Sequence, residues 1–205
     1  MIRRSSSAEG DFWRWFVLNE DRLFALAEAA DPLMRELAER LQSCHEDLTF
    51  ELSSPREGRR EFAVSAGGIR DAFPAARALA DSAPSLPRWT VFFLRQRKML
   101  PVACMVNGAT IDTASVQFHL APQRDKIHVS LFLPGYSAHE RATFATIGFL
   151  LLDASLGEYD VETKVGRVDF LPIAEAGTIP TRPIAELPAA FDMMMTELRS
   201  PSARR

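Results

Sequence analysis

The chain has 205 residues, 22.9 kDa, 47% hydrophobic and 25% charged residues, and a net charge of −3. A chain of this length buries roughly two-thirds to three-quarters of its unfolded surface, and that balance excludes a disordered, collagen-like or disulfide-scaffold protein. Five of the 24 basic residues (Arg3, Arg4, Arg199, Arg204 and Arg205) lie in the two tails against the single acid Glu9, which leaves 19 basic and 26 acidic residues in the body.

A body near −7 carries no basic footprint of the kind that duplex binding needs, so nucleic acid is not an expected partner. Only three basic residues are Lys (Lys98, Lys126, Lys164), which with the abundant Ala and Pro reads as GC-rich bacterial codon usage. Cys44 and Cys104 are far apart and form no metal-type spacing; they read as reduced thiols of a cytoplasmic protein. Arg3 and Arg4 are not followed by an apolar run, so no signal peptide is expected. The longest apolar stretch, residues 147–152, is too short for a bilayer.

Residues 1–8 and 199–205 read as flexible tails. Phe12, Trp15, Phe16, Leu23 and Leu26 recur at helical spacing, which predicts a helix over about 9–29. Asp31-Pro32 supplies an N-cap and a first helical position, and Leu33, Leu37 and Leu41 form one stripe. A helical hairpin therefore opens the chain. Period-two alternation over 48–52 and 61–65, around a turn-rich connection, predicts a β-hairpin. Gly67-Gly68 ends it, and residues 69–82 read as a helix with an irregular start at Phe73-Pro74.

Trp89 to Leu94 is a buried-strand candidate and 102–106 a weaker one, followed by the turn signal Asn107-Gly108. Residues 115–121 and 126–133 predict a second hairpin. Ser137 and Glu140 have capping-box spacing before a helix over about 138–155, with Phe144, Ile147 and Leu151 on its buried line. Residues 161–170 read as a strand and 184–198 as a last amphipathic helix. Strands mostly follow strands, so the expected fold is α+β: one domain over 1–205, a mainly antiparallel sheet, an N-terminal helical hairpin and further helices packed on it.

Phosphate-loop, dinucleotide, H-E-x-x-H, C-x-x-C and G-x-S-x-G motifs are absent from the sequence. Three weaker constellations remain. Asp153, Glu158, Asp160 and Glu162 form a carboxylate cluster. If 158–162 is extended, Glu158, Asp160 and Glu162 share one face, and such oxygens suit Mg²⁺ or Ca²⁺; the alternative is a solvated strand face with no cofactor. If Ala121 and Lys126 close the second hairpin, His119 lies opposite His128 on its polar side, a possible metal or general-base pair or simply two surface histidines. Trp13 and Trp15 could form a ligand wall or a partner surface; packing of the first helix is the alternative. Met193-Met194-Met195 invites the same question, with core packing expected for one or two of them.

Phe12-Trp13-Arg14-Trp15-Phe16 with Asn19, Phe50-Glu51-Leu52, Ala66-Gly67-Gly68-Ile69 with Phe73-Pro74, Ala83-Pro84 through Trp89, and Leu156 to Glu162 together resemble a bacterial family of proteins of unknown function. The resemblance covers most of residues 11–172. Its most specific parts are the aromatic opening and the Gly-Glu-x-Asp-Val-Glu stretch. It implies a single-domain α+β architecture and assigns no activity or catalytic residue. Three classes of function follow. The foremost is a non-catalytic protein acting through a protein partner; the others are a small-ligand-binding domain and a metal-assisted hydrolase using the 153–162 carboxylates. The oligomeric state is open.

Overall fold

The computed structural model describes residues 7–26, 31–101 and 103–200. The fold is α+β with mostly antiparallel strand pairs. Where one continuous domain is expected, the chain divides into two compact units, Met1–Arg95 and Gln96–Arg205. Each has its own apolar cluster.

In the first unit, α1 (Ala8–Leu18) and α2 (Glu20–Ala25) replace the single helix expected over 9–29, whose last residues lie outside those described. The break is at Asn19, whose backbone N–H donates to the carbonyls of Trp15 and Phe16 and whose side-chain amide also donates to Trp15 O. Local capping of this kind ends a helix even where the apolar spacing continues. Asp31 caps α3 (Pro32–Gln42) by accepting from Leu33 N at 2.8 Å, and Leu33, Leu37 and Leu41 are buried as the stripe predicts. Strands β1 (Thr49–Leu52) and β2 (Arg60–Ser65) pair antiparallel. A 3₁₀ turn over Arg70–Ala72 leads into α4 (Phe73–Asp81), with Pro74 in its first turn. This helix is the crossover to β3 (Trp89–Phe93), which pairs parallel to β2.

Arg60 holds the unit's helical and strand parts together. The residue is 6% exposed; its guanidinium Nη1 donates to the carbonyls of Leu23, Phe24 and Leu26, and Nε to Ser53 O. At the end of α2, where backbone donors run out, the carbonyls of Leu23, Phe24 and Leu26 thus accept from a strand residue 34 to 37 positions away, Leu23 O also accepting from Leu26 N at 3.4 Å.

The second unit begins with the β4 (Ala103–Val106) and β5 (Ala109–Asp112) hairpin. Asn107 and Gly108 both have positive φ, 50° and 85°, as a two-residue hairpin turn of primed type requires. The main sheet has the order β8-β7-β6-β9, built from β6 (Gln117–Gln123), β7 (Lys126–Leu133), β8 (Val165–Pro172) and β9 (Arg182–Pro183). Between β7 and its parallel neighbour β8 run α5 (Arg141–Leu156) and α6 (Glu158–Lys164). A 3₁₀ turn at Ala138–Glu140 precedes α5, and Ser137 makes no side-chain cap, so the expected capping box does not form. The last helix is α7 (Leu187–Arg199), with Met195 buried, Met194 half-buried and Met193 exposed. Phe118, Ile127, Val129 and Leu131 cluster with Phe144, Ile147 and Leu151 of α5 and Phe191 of α7.

Residues 158–164 are the clearest correction to the sequence reading. They are a helix, not a strand. Gly157, at φ 78° and ψ 145°, closes α5 by donating to Asp153 O, and its own carbonyl accepts from Val161 N to start α6. Thr163 donates to Tyr159 O, and Lys164 pairs with Asp160, both at four-residue spacing. Among the described residues no helix is long and apolar enough to cross a membrane.

Candidate functional site

The helix dissolves the shared carboxylate face. At about 100° per residue, Glu158 and Glu162 fall on one side of α6 and Asp160 on the other. Glu158 is fully buried. Asp160 accepts from Arg97 Nη2 at 2.7 Å and pairs with Lys164. Asp153 lies in α5 beyond the Gly157 turn. Among the described residues, no group of three or more His, Cys, Asp or Glu side chains is placed to hold a metal ion.

His119 and His128 do share a sheet face but are not directly opposite. The hairpin turn is two residues tighter than expected: Gln123 pairs with Lys126, which places His119 opposite Ser130 and His128 opposite Ala121. Each imidazole has its own partner. His119 Nδ1 lies 2.8 Å from Pro180 O, so that nitrogen carries the proton, since a carbonyl only accepts. His128 Nε2 lies 2.8 Å from Asp169 Oδ2, and Arg167 Nε donates to the other oxygen at 2.9 Å. Burial pushes the Asp169 carboxyl up, but the hydrogen bonds and charges of Arg167 and His128 outweigh it and hold it below the usual carboxylate range. Asp169 is missing from the sequence reading because it reaches His128 only through the parallel β7–β8 pairing.

Trp13 and Trp15 belong to the first unit's core, 4% and 8% exposed. Trp13 Nε1 donates to Leu79 O at 2.8 Å, and Trp15 Nε1 to Glu36 Oε1 at 2.7 Å. Phe12, Phe16 and Trp13 pack around Phe62 at ring separations of 5.2–6.1 Å. The indoles therefore pack the first helix and present no exposed partner surface.

The second unit holds a cavity of about 440 Å³, within the size range of small-molecule sites. Its walls come from three segments and one residue of α5. Residues 98–101 are tied down at both ends: Lys98 N donates to Ala154 O at 2.8 Å, and Pro101 O accepts from Thr113 Oγ1 at 2.5 Å. Just before them, Arg97 Nε donates to Leu156 O, and its other nitrogens bind Asp160 and Asp192. These contacts join the segment to α5, α6 and α7. The hydrogen bond from Arg97 holds the Asp192 carboxyl below its ordinary range, against the opposing effect of burial. The 112–114 turn and residues 183–185 with Pro188 complete the lining, which is mostly apolar.

Ser155 of α5 also lines this cavity. It is 2% exposed, and its hydroxyl has no hydrogen-bond partner among the described residues. A buried hydroxyl without a partner costs about 1–3 kcal/mol, so proteins seldom leave one. The sequence does contain a signal: Ser155 follows Leu151 by four residues and so falls on the buried line Phe144, Ile147, Leu151. A hydroxyl there is out of place in a purely packing helix.

A second cavity, about 660 Å³, lies in the first unit against Phe24, Leu26, Met34, Phe50 and Arg60. Its polar anchor is already committed, since Arg60 donates to four backbone carbonyls. No protein-family model, curated protein or solved structure matches this chain.

Proposed function

We propose that the protein is a non-catalytic small-molecule-binding protein whose ligand occupies the cavity of the second unit. The observation that carries this reading is the unpartnered, buried Ser155 hydroxyl in a mostly apolar cavity of about 440 Å³. Apolar walls with few polar groups bind by burial and orient by one or two hydrogen bonds. The described residues that line the cavity include no close constellation of nucleophile, base and orienting group by which a catalytic site is recognised.

Thermal unfolding of the full chain against a panel of small apolar metabolites tests it. A ligand at a hundred times its dissociation constant adds about 2.7 kcal/mol, a visible rise in Tm. Ala114→Phe fills the cavity from its exposed rim and should abolish that rise while leaving the unliganded Tm near that of the parent.

Action through a protein partner is the second reading. Its support is Met99 and Met105, 94% and 72% exposed in the same unit; a partner surface requires that they belong to one contiguous apolar patch. A flat ligand panel puts this reading ahead.

A further inference from the structure

We propose that the cavity of the second unit selects a neutral aliphatic molecule with one hydrogen-bonding oxygen, such as an alcohol, ketone or ester, and that Ser155 binds that oxygen. This rests on the ligand-binding reading above and goes on to the chemical class.

The walls supply the first argument. Leu100, Pro101, Ile184 and Pro188 are aliphatic or alicyclic, and Met99 stands at the rim. No aromatic side chain is among the described residues that line the cavity. A planar ring system gains affinity by stacking on aromatic faces, and this lining offers none. A flexible aliphatic chain needs only apolar surface, which these side chains provide.

The polar groups supply the second. Two charged residues line the cavity, Lys98 and Asp112. Asp112 Oδ1 accepts from Ala114 N at 3.0 Å, and Oδ2 accepts from Ser115 Oγ at 3.5 Å, so this carboxylate caps its own turn. Lys98 is an exposed rim residue with interactions of its own. An ionised ligand group inside would therefore meet no dedicated counter-charge, and burying a charge without one is strongly unfavourable. The Thr113 hydroxyl is already given to Pro101 O. Among the described side chains that line the cavity, what is left is Ser155, whose hydroxyl both donates and accepts. It pairs equally well with a ligand hydroxyl or a ligand carbonyl, and it has capacity for one such group.

The test is isothermal titration of the full chain with 1-octanol, octanoate and indole, on the parent and on Ser155→Ala. Ser155→Ala removes a polar atom that has no partner, so its unliganded Tm should match or exceed the parent's. The parent should bind 1-octanol at least tenfold more tightly than octanoate or indole. Ser155→Ala should weaken 1-octanol by about tenfold, the value of one buried hydrogen bond whose loss leaves the ligand oxygen unpaired. An unchanged affinity in Ser155→Ala overturns the role of the hydroxyl. Octanoate or indole binding as tightly as 1-octanol overturns the ligand class while leaving the cavity a binding site. Failure of all three to bind the parent removes the ligand-binding reading itself.

Discussion

Replacing Gly148 by Ala tests the packing of α5 on its sheet with a single methyl group. In an unconstrained helix interior this change stabilises by about 1 kcal/mol, because Ala is the better helix former. Here the surroundings reverse the sign. A Cβ on Gly148 would lie 2.0 Å from Cε1 of Phe170, 2.5 Å from Cδ1 and 2.7 Å from Cζ. Carbon atoms pack best at about 3.5–4.0 Å, so the overlap is about 1.5–2 Å and the ring cannot stay where it is. Phe170 must swing away from β8, or α5 must lift. Overpacking of this kind costs about 1–3 kcal/mol. If the ring moves, its edge-on contact with Phe149 at 5.3 Å is lost as well, another 0.5–1.5 kcal/mol or so. Set against the propensity gain, the net effect is a destabilisation of about 1–3 kcal/mol. Urea unfolding of the full chain, followed by far-UV circular dichroism, reads this as a lower midpoint at unchanged slope. The same methyl group added to a Phe170→Ala background should cost nothing or stabilise, because the obstructing ring is gone. A Gly148→Ala protein as stable as the parent, or more so, would show that Phe170 does not close over the helix.

Three further outcomes follow from named contacts. Arg60→Met keeps the unbranched apolar stem but removes the side-chain donors to the carbonyls of Leu23, Phe24 and Leu26 at the end of α2; a loss of about 2–4 kcal/mol is expected in urea unfolding. Arg60→Lys should not restore it, because one ammonium cannot reproduce the fork, and full rescue by Lys would sink the capping account. Burial, reinforced by Glu9 and Asp11, pushes the Cys44 thiol up to about 11 from 9.0. The neutral thiol's contribution to stability is therefore complete below about pH 9 and lost as pH rises toward 11. In a Cys104→Ser background at pH 9, Cys44 should carry about fifty-fold less thiolate folded than unfolded, and iodoacetamide should label it correspondingly slowly; equal labelling rates would refute this. Asp169 titrates below the ordinary carboxylate range in the folded chain. Its contribution is thus complete above about pH 4 and lost as pH falls through the folded value. The gap in urea midpoint between parent and Asp169→Asn should narrow from pH 7 to pH 3, and a constant gap would contradict the pairing with His128 and Arg167.

Much of the local structure is legible in the sequence. The Leu33, Leu37 and Leu41 stripe, the Asp31-Pro32 start, the Asn107-Gly108 turn and the alternating strands all appear where their patterns place them. These signals are short-range, set by side-chain direction and backbone torsion within a few residues, so a linear reading can find them. The 158–164 segment shows the limit of that reading. Seven residues are too few for a two-residue period to be told from a 3.6-residue one, and the decision fell to Gly157 and to the burial of Glu158 and Val161. The histidine register failed by a similar margin, because a tighter turn at Arg124-Asp125 shifts the pairing by two residues.

What only the tertiary structure decided is non-local. Parallel pairing of β2 with β3 and of β7 with β8 needs helical crossovers, and it brings Asp169 to His128 across 41 positions. The division into two units follows from two apolar clusters, one on each side of the Arg95–Gln96 boundary, which no composition shift marks. The cavity is the same kind of fact. Its walls come from residues 98–101, 112–114, 155, 183–185 and 188, and no single segment reveals it. The sequence by itself determined most of the helical and extended segments and their apolar faces, because those depend mainly on neighbours along the chain. Which polar groups remain unpaired, and therefore where a ligand can be held, depends on neighbours in space.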